Sequence, residues 1–176
     1  MKLKEICIDD LDLYKAMFCD PVHMADLGGP QPEEKVPGIL ERQVNALVSG
    51  KGWIYKIVPE IEDWNGSNIP RSNIDWTRGV GTICIWSGEY KDQPATEIGW
   101  GVLPAYQHRG FATKALTALL DLARNDGRWG VVHAFTSVSN ESSNKLAKSV
   151  GFHWVEECDI DYDGRDLHCN HYVYNT

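Results

Sequence analysis

The stretch from Glu97 to Arg124, EIGWGVLPAYQHRGFATKALTALLDLAR, constrains the architecture more than any other part of the chain. Glu97 to Leu103 is apolar enough for a buried strand, and Pro104 ends it, because proline has no N–H to give a ladder. From Phe111 the apolar residues fall at 111, 112, 115, 116, 119, 120 and 123, which is one face of a helix. Between strand and helix lies QHRGFA, with Gly110 where the helix begins and His108 and Arg109 just before it. The first N–H groups of a helix have no partner within it and carry the positive end of its dipole, so they bind anions. Gly110 removes the side chain that would keep a phosphate off the backbone. The stretch reads as a strand, a loop shaped for a phosphate or pyrophosphate, and a helix.

The rest of the chain supplies elements to pack around it. Alternation and β-branched content predict strands over 3–8, 53–58, 80–86, 131–136, 152–160 and 167–174. Helical spacing predicts helices over 10–19, 33–48 and 141–149. Pro37 falls in a first turn, where proline is tolerated, and Asn140 and Gly151 suit an N-cap and a left-handed stop. The order β-α-α-β-β-β-α-β-α-β-β implies an α/β fold in one domain over 1–176, a mixed central sheet with helices on its faces. SGEYKDQPA reads as a hairpin-type connection. Residues 59–79 form a long polar insertion with two readings: a hairpin turning at Asn65-Gly66, or a flap over a binding site.

Composition narrows the partners. A formal net charge of -8 argues against general nucleic-acid binding and weakly favours a cationic or neutral partner. No run approaches the roughly 20 apolar residues that span a membrane. The N-terminus has no apolar run like a signal peptide. Five scattered cysteines without a CxxC suit reduced thiols, hence a cytoplasmic protein. Cys84 has no evident activating partner and reads as core. In HCNH, His168 and His171 lie three apart on a strand and point to opposite faces, so no metal site is expected.

Three segments carry a family resemblance. QHRGFA after a strand ending VLPAYQ is similar to the Q/R-x-x-G-x-G/A signature of the GNAT superfamily of acyl-CoA-dependent N-acyltransferases. NESSNKLAKSVGF resembles that family's Asn-led helix ending in Gly-Phe, and MADLGGP resembles the ribosomal-protein N-terminal acetyltransferase-like branch. The resemblance implies a GNAT fold with a bulged, splayed central strand. It also implies acetyl-CoA as acyl donor. Backbone groups of Trp100, Val102 and Leu103 would pair with its pantetheine arm. Gln107, His108, Arg109, Gly110, Phe111, Ala112 and Thr113 would hold its pyrophosphate, and Asn140 and Asn144 would contact its arm.

The implied reaction is direct transfer of acetyl to a primary amine, on a small molecule or a peptide N-terminus. The Val102 N–H is the expected oxyanion donor and Glu97 the expected base, directly or through water. Phe135 occupies the place where some relatives put a glutamate on the following strand. Ala147 stands where many members have a tyrosine acid, so the protonation of the leaving thiolate has no assigned donor, with solvent, Ser143 and the departing ammonium as the sources. Leu27, Gly28, Trp53, Trp86 and Tyr172 are candidates for the acceptor site. The rival reading is a non-catalytic acetyl-CoA-binding sensor or interaction module; a monomer or homodimer suits either.

Overall fold

The computed structural model describes residues 1–64 and 78–176. Among these residues seven strands form one mixed sheet: β1 (Lys2–Glu5), β2 (Gly52–Val58), β3 (Gly81–Tyr90), β4 (Gln93–Val102), β5 (Val131–Ser137), β6 (His153–Asp161) and β7 (Asp166–Asn175). Four α-helices accompany them: α1 (Leu11–Phe18), α2 (Val36–Val48), α3 (Phe111–Asp126) and α4 (Glu141–Ser149). The spatial order is β1-β2-β3-β4-β5-β7-β6, and among the described residues only the β4–β5 pair is parallel. The element order is the one the sequence predicts. The choice between hairpin and flap for 59–79 rests on 65–77, which lie outside the described residues.

The strand alternation sorts side chains between two faces. Ile83 and Ile85 of β3, Ile98 and Val102 of β4, and Val132 and Ala134 of β5 face one way. Against them α3 buries Phe111, Ala115, Leu116, Leu119, Leu120 and Ala123, the apolar stripe of the sequence. Each buried leucine or phenylalanine contributes roughly 2 kcal/mol. On the other face α1 and α2 place Tyr14, Val36, Ile39 and Leu40 over Ile54.

The β3–β4 hairpin is longer than expected. Tyr90 pairs with Gln93 across a two-residue turn of Lys91 (φ 51°) and Asp92 (φ 59°), so the predicted connection is itself strand. Positive φ at both turn residues matches the twist of the flanking strands. Asp163 and Gly164 make the corresponding turn between β6 and β7.

The expected bulge on β4 is not found in its ladder with β3, whose register runs unbroken from Gly81↔Val102 to Tyr90↔Gln93. The splay is nevertheless there. β4 pairs with β5 only at Thr96↔Val132 and Glu97↔His133, and β5 then turns to pair with β7 along its whole length. The register shift in this sheet lies instead at Trp154/Glu156, between β6 and β7.

Asn144 pins the diverging half together. Its Oδ1 accepts from Thr136 Oγ1 (2.7 Å), Asn170 Nδ2 (2.9 Å) and Tyr172 Oη (2.9 Å), and its Nδ2 donates to the carbonyls of Ser137 (2.9 Å) and Asn140 (2.8 Å). One buried amide thereby links α4 to β5 and β7. Asn144→Ala strands two buried hydroxyl groups and should cost about 3 kcal/mol, read as a lower midpoint in urea unfolding; a loss under 1 kcal/mol would contradict the pinning role.

Candidate active site

Leu103 N–H donates to the Val80 carbonyl across the β3 ladder (2.8 Å). Antiparallel pairing alternates, so the odd residues of β4 bond toward β3 and the even ones turn their N–H and C=O to the other side. Beyond Glu97 that other side is the gap left by β5. The backbone groups of Trp100 and Val102 therefore face an opening rather than a neighbouring strand. The Val102 carbonyl takes the Gln107 Nε2 amide (3.0 Å), which fixes the end of the strand to the loop before α3.

The opening is part of a cleft of about 740 Å³ that runs from α1 and α2, past β4, to the start of α3. That volume suits a ligand of cofactor size. Glu97, Trp100, Val102, Gln107, His108, Gly110, Phe111, Ala112, Thr113 and Asn140 all contribute to its lining. His108 (φ 58°) and Gly110 (φ 78°) both lie in the left-handed region, and this folds the loop so that α3 starts at the cleft. Gly110 is the N-cap, a Cβ built there meets nothing within 4 Å, and Gly110 to Thr113 line the cleft, so α3 starts at its wall.

Three expected cofactor residues are placed elsewhere. Leu103 does not line the cleft, because its N–H is already used in the β3 ladder. Arg109 is half-buried beside the loop and is outside the lining as well. Asn144 is spent inside the protein on the five bonds described above. Asn140 serves both as N-cap of α4, its Oδ1 accepting from Ser143 N–H (3.0 Å), and as part of the cleft wall.

The odd residues of β4, Glu97, Gly99 and Gly101, face α1 and α2. Two glycines leave a bare strip of strand beyond the carboxylate. Burial alone raises the Glu97 carboxyl above the usual carboxylate range. Its Oε1 leans toward Gly88, 2.8 Å from where a Cβ would stand there, and so away from Gly99. Cys84 lies beneath the strip, its Sγ 3.5 Å from the Gly99 carbonyl. Burial pushes that thiol up to about 12, so it is no ready nucleophile.

At the far end of the strip stands His23, which sequence reasoning missed. A Cβ on Gly101 would come within 2.9 Å of its Cε1 and 3.0 Å of its Nε2. Burial lowers its pKa, while a hydrogen bond to the Val102 backbone and the charge of Asp20 pull the other way. Of the acceptor candidates, Leu27 and Trp86 line the cleft. Trp53 instead packs edge-on against Trp129 (5.2 Å) on the opposite face, and Tyr172 is core, its hydroxyl on Asn144. Gly28 abuts Arg165, whose guanidinium donates to the carbonyls of Leu27 (3.3 Å), Gly29 and Pro30 (3.2 Å). Arg165 thereby ties the β6–β7 turn to the loop carrying His23. Ala147 is fully buried and offers the cleft no proton.

The fold has counterparts of known structure. An acetyltransferase from Salmonella typhimurium that modifies the N-terminal serine of ribosomal protein L7/L12 superposes with a TM-score of 0.74, at 16% identity over 99% of this chain and 94% of that one. The microcin C7 self-immunity acetyltransferase MccE, solved with acetyl-CoA and AMP, superposes with a TM-score of 0.74 at 15% identity over 99% and 91%. An acetyltransferase from Agrobacterium tumefaciens reaches 0.71 at 20% identity over 99% and 90%. No curated protein sequence matches the chain. The sequence model of the acetyltransferase (GNAT) domain matches residues 1–153. A splayed β4, an open helix start beyond it and that match lead to one conclusion: the chain belongs to the GNAT acetyltransferase family.

Proposed function

We infer that the protein moves an acetyl group from acetyl-CoA to a primary amine by direct attack. The observation that carries this reading is the unpaired edge of β4: the backbone of Trp100 and Val102 faces a cleft that ends on the open start of α3. An amide-bearing arm can hydrogen-bond that edge as a strand would, while the helix start receives its pyrophosphate. Gln107, His108 and Gly110 to Thr113 hold the phosphate end, and Asn140 stands beside the arm. The bound acetyl-CoA of MccE supports the same choice of donor.

Two tasks remain at the reacting end. The thioester oxygen gains charge as the amine attacks, and the Val102 N–H, already aimed into the gap, offsets it without reorganisation. The amine arrives as an ammonium and must lose a proton first. Glu97 is the base for this step. Its carboxylate leans toward Gly88, so a water carries the proton to it. Burial raises its pKa above the ordinary glutamate value, which makes the carboxylate a stronger base. Asp26, Asp161 and Asp163 line the acceptor side, with Arg42 among them, and favour a cationic group there.

Two substitutions test the assignment. Gly110→Glu puts a carboxylate into the anion site. Its folding cost is that of a left-handed non-glycine residue, about 1 kcal/mol, since no atom lies within 4 Å of the new Cβ. Acetyl-CoA binding by calorimetry should fall at least a hundredfold; unchanged affinity would refute the phosphate loop. Glu97→Gln should lower kcat at pH 7 by about a hundredfold while leaving the acetyl-CoA Kd within twofold. In the wild type, kcat/KM should rise with pH through a midpoint above 4.5, the ordinary glutamate value, because Glu97 acts as base only when ionised. A variant of near-normal kcat would remove Glu97 from the mechanism.

A further inference from the structure

An ammonium that becomes an amide sheds two protons. One leaves before attack and goes to Glu97. The second stays on nitrogen in the tetrahedral intermediate, while the departing sulfur needs one. Glu97 already holds its proton and Ala147 has nothing to give, which leaves Ser143, solvent and any further group on the cleft wall to move it.

His23 stands at the right end of the cleft for this transfer. The carboxylate of Glu97 leans away from Val102, and four residues of strand, about 13 Å at 3.3 Å each, separate Glu97 from Gly101. His23 lies against Gly101 in the cleft wall, next along the strand to Val102, the residue whose N–H meets the thioester in the acetyl-transfer reading. The Val102 backbone opposes the effect of burial on the ring. A neutral imidazole carries one N–H donor and one nitrogen with a free lone pair. Gly101 makes the placement possible, since any side chain there would occupy the imidazole's position.

The loop holds the ring from both sides. Asp20 Oδ1 accepts from the N–H groups of Val22 (2.8 Å) and His23 (2.7 Å), and Arg165 grips the carbonyls that follow at Leu27, Gly29 and Pro30. The groups facing the ring are Asp20 from its own loop, uncharged Met17 from α1, and from β4 the Val102 backbone, with Glu97 farther along the same face.

We propose that His23 is a catalytic residue that shuttles a proton from the acceptor nitrogen to the departing CoA sulfur. This rests on the acetyl-transfer reading above. In the tetrahedral intermediate the free imidazole nitrogen takes one proton from the cationic amine nitrogen. The C–S bond breaks, its electron pair goes to sulfur, and the imidazolium returns that proton to the thiolate. The ring ends as it began, with amide and thiol as products. Burial, which keeps the ring neutral beforehand, also makes its protonated form a readier acid.

The experiment is a cycle read by CoA release and by NMR on the full chain. His23→Ala should lower kcat about a hundredfold with the acetyl-CoA Kd unchanged within twofold, and added imidazole should restore at least a tenth of the lost rate. Gly101→Ala should lower kcat by a similar factor alone and add less than twofold on the His23→Ala background, because it acts by displacing the same ring. A His23→Ala enzyme within threefold of wild type, or one that imidazole leaves unchanged, overturns the proposal. So does full additivity of the two substitutions. Should the wild type acetylate no amine, the transfer reading fails by itself. The His23 ring resonances then decide the placement: a shift on adding CoA thiol supports it, and no shift overturns it.

Discussion

The parting of β4 from β5 after Glu97 is the constraint on which the rest depends. Two strands that stayed paired would consume every N–H on that edge, and no cleft would exist. Here the pairing stops after two residues, and a strand from the middle of the sheet acquires an unpaired backbone edge. Unpaired backbone groups are costly when buried, so the opening must stay accessible to water or to a ligand. The structure holds both sides of it. Thr96 Oγ1 donates to the Trp129 carbonyl (2.9 Å) where pairing ends, Gln107 secures the far end of β4, and Asn144 commits β5 to β7 and α4.

Position along β4 then sets the electrostatics. Glu97 is the last residue of the ladder, where the sheet still covers it, and no cation among the described residues offsets its burial. The same environment keeps the Cys84 thiol protonated. The raised carboxyl and the inert thiol share a first cause, removal of solvent, and at the thiol the charge of Glu97 adds to it. At the other end of the strip the backbone of Val102 and the charge of Asp20 partly oppose the effect of burial on His23. The two titratable groups therefore sit in different surroundings on the same strand face.

Local signals made much of this legible. The helical period from Phe111, the stop at Pro104 and the glycine of QHRGFA are neighbour effects, and they locate the strand, the turn and the helix start. Longer-range facts were hidden. SGEYKDQPA reads as a connection because its residues are polar, although the hairpin carries the ladder through them and confines Pro94 to the side away from β3. Leu103 and Asn144 match a cofactor pattern in sequence, yet one N–H belongs to the β3 ladder and the other amide is saturated by residues 4 to 28 positions away. His23 left only indirect traces. The alternation Gly99-Trp100-Gly101 signals empty space on one face, and Asp20-Pro21 signals a turn, but only the fold brings the turn to the space. Trp53 fell on the opposite face because a strand's alternation cannot be assigned a side until its neighbours are known.

A single alternation explains how one strand serves two substrates in the proposed reaction. Even residues of β4 send their side chains into the core under α3 and their peptide groups into the gap. Odd residues send their peptide groups to β3 and their side chains, or the lack of them, toward α1 and α2. A thioester arm lying in the gap meets only backbone from Trp100 and Val102, so its binding is insensitive to the side chains there beyond their packing. An amine approaching from the α1–α2 face meets only the odd positions, a carboxylate followed by two glycines. In that reaction acceptor preference would be set by what neighbouring elements lower onto the bare strip, His23 and Leu27 from one loop and Trp86 from β3. Such a strand keeps its donor chemistry while the loops above it change, because no side chain of the strip has to serve both.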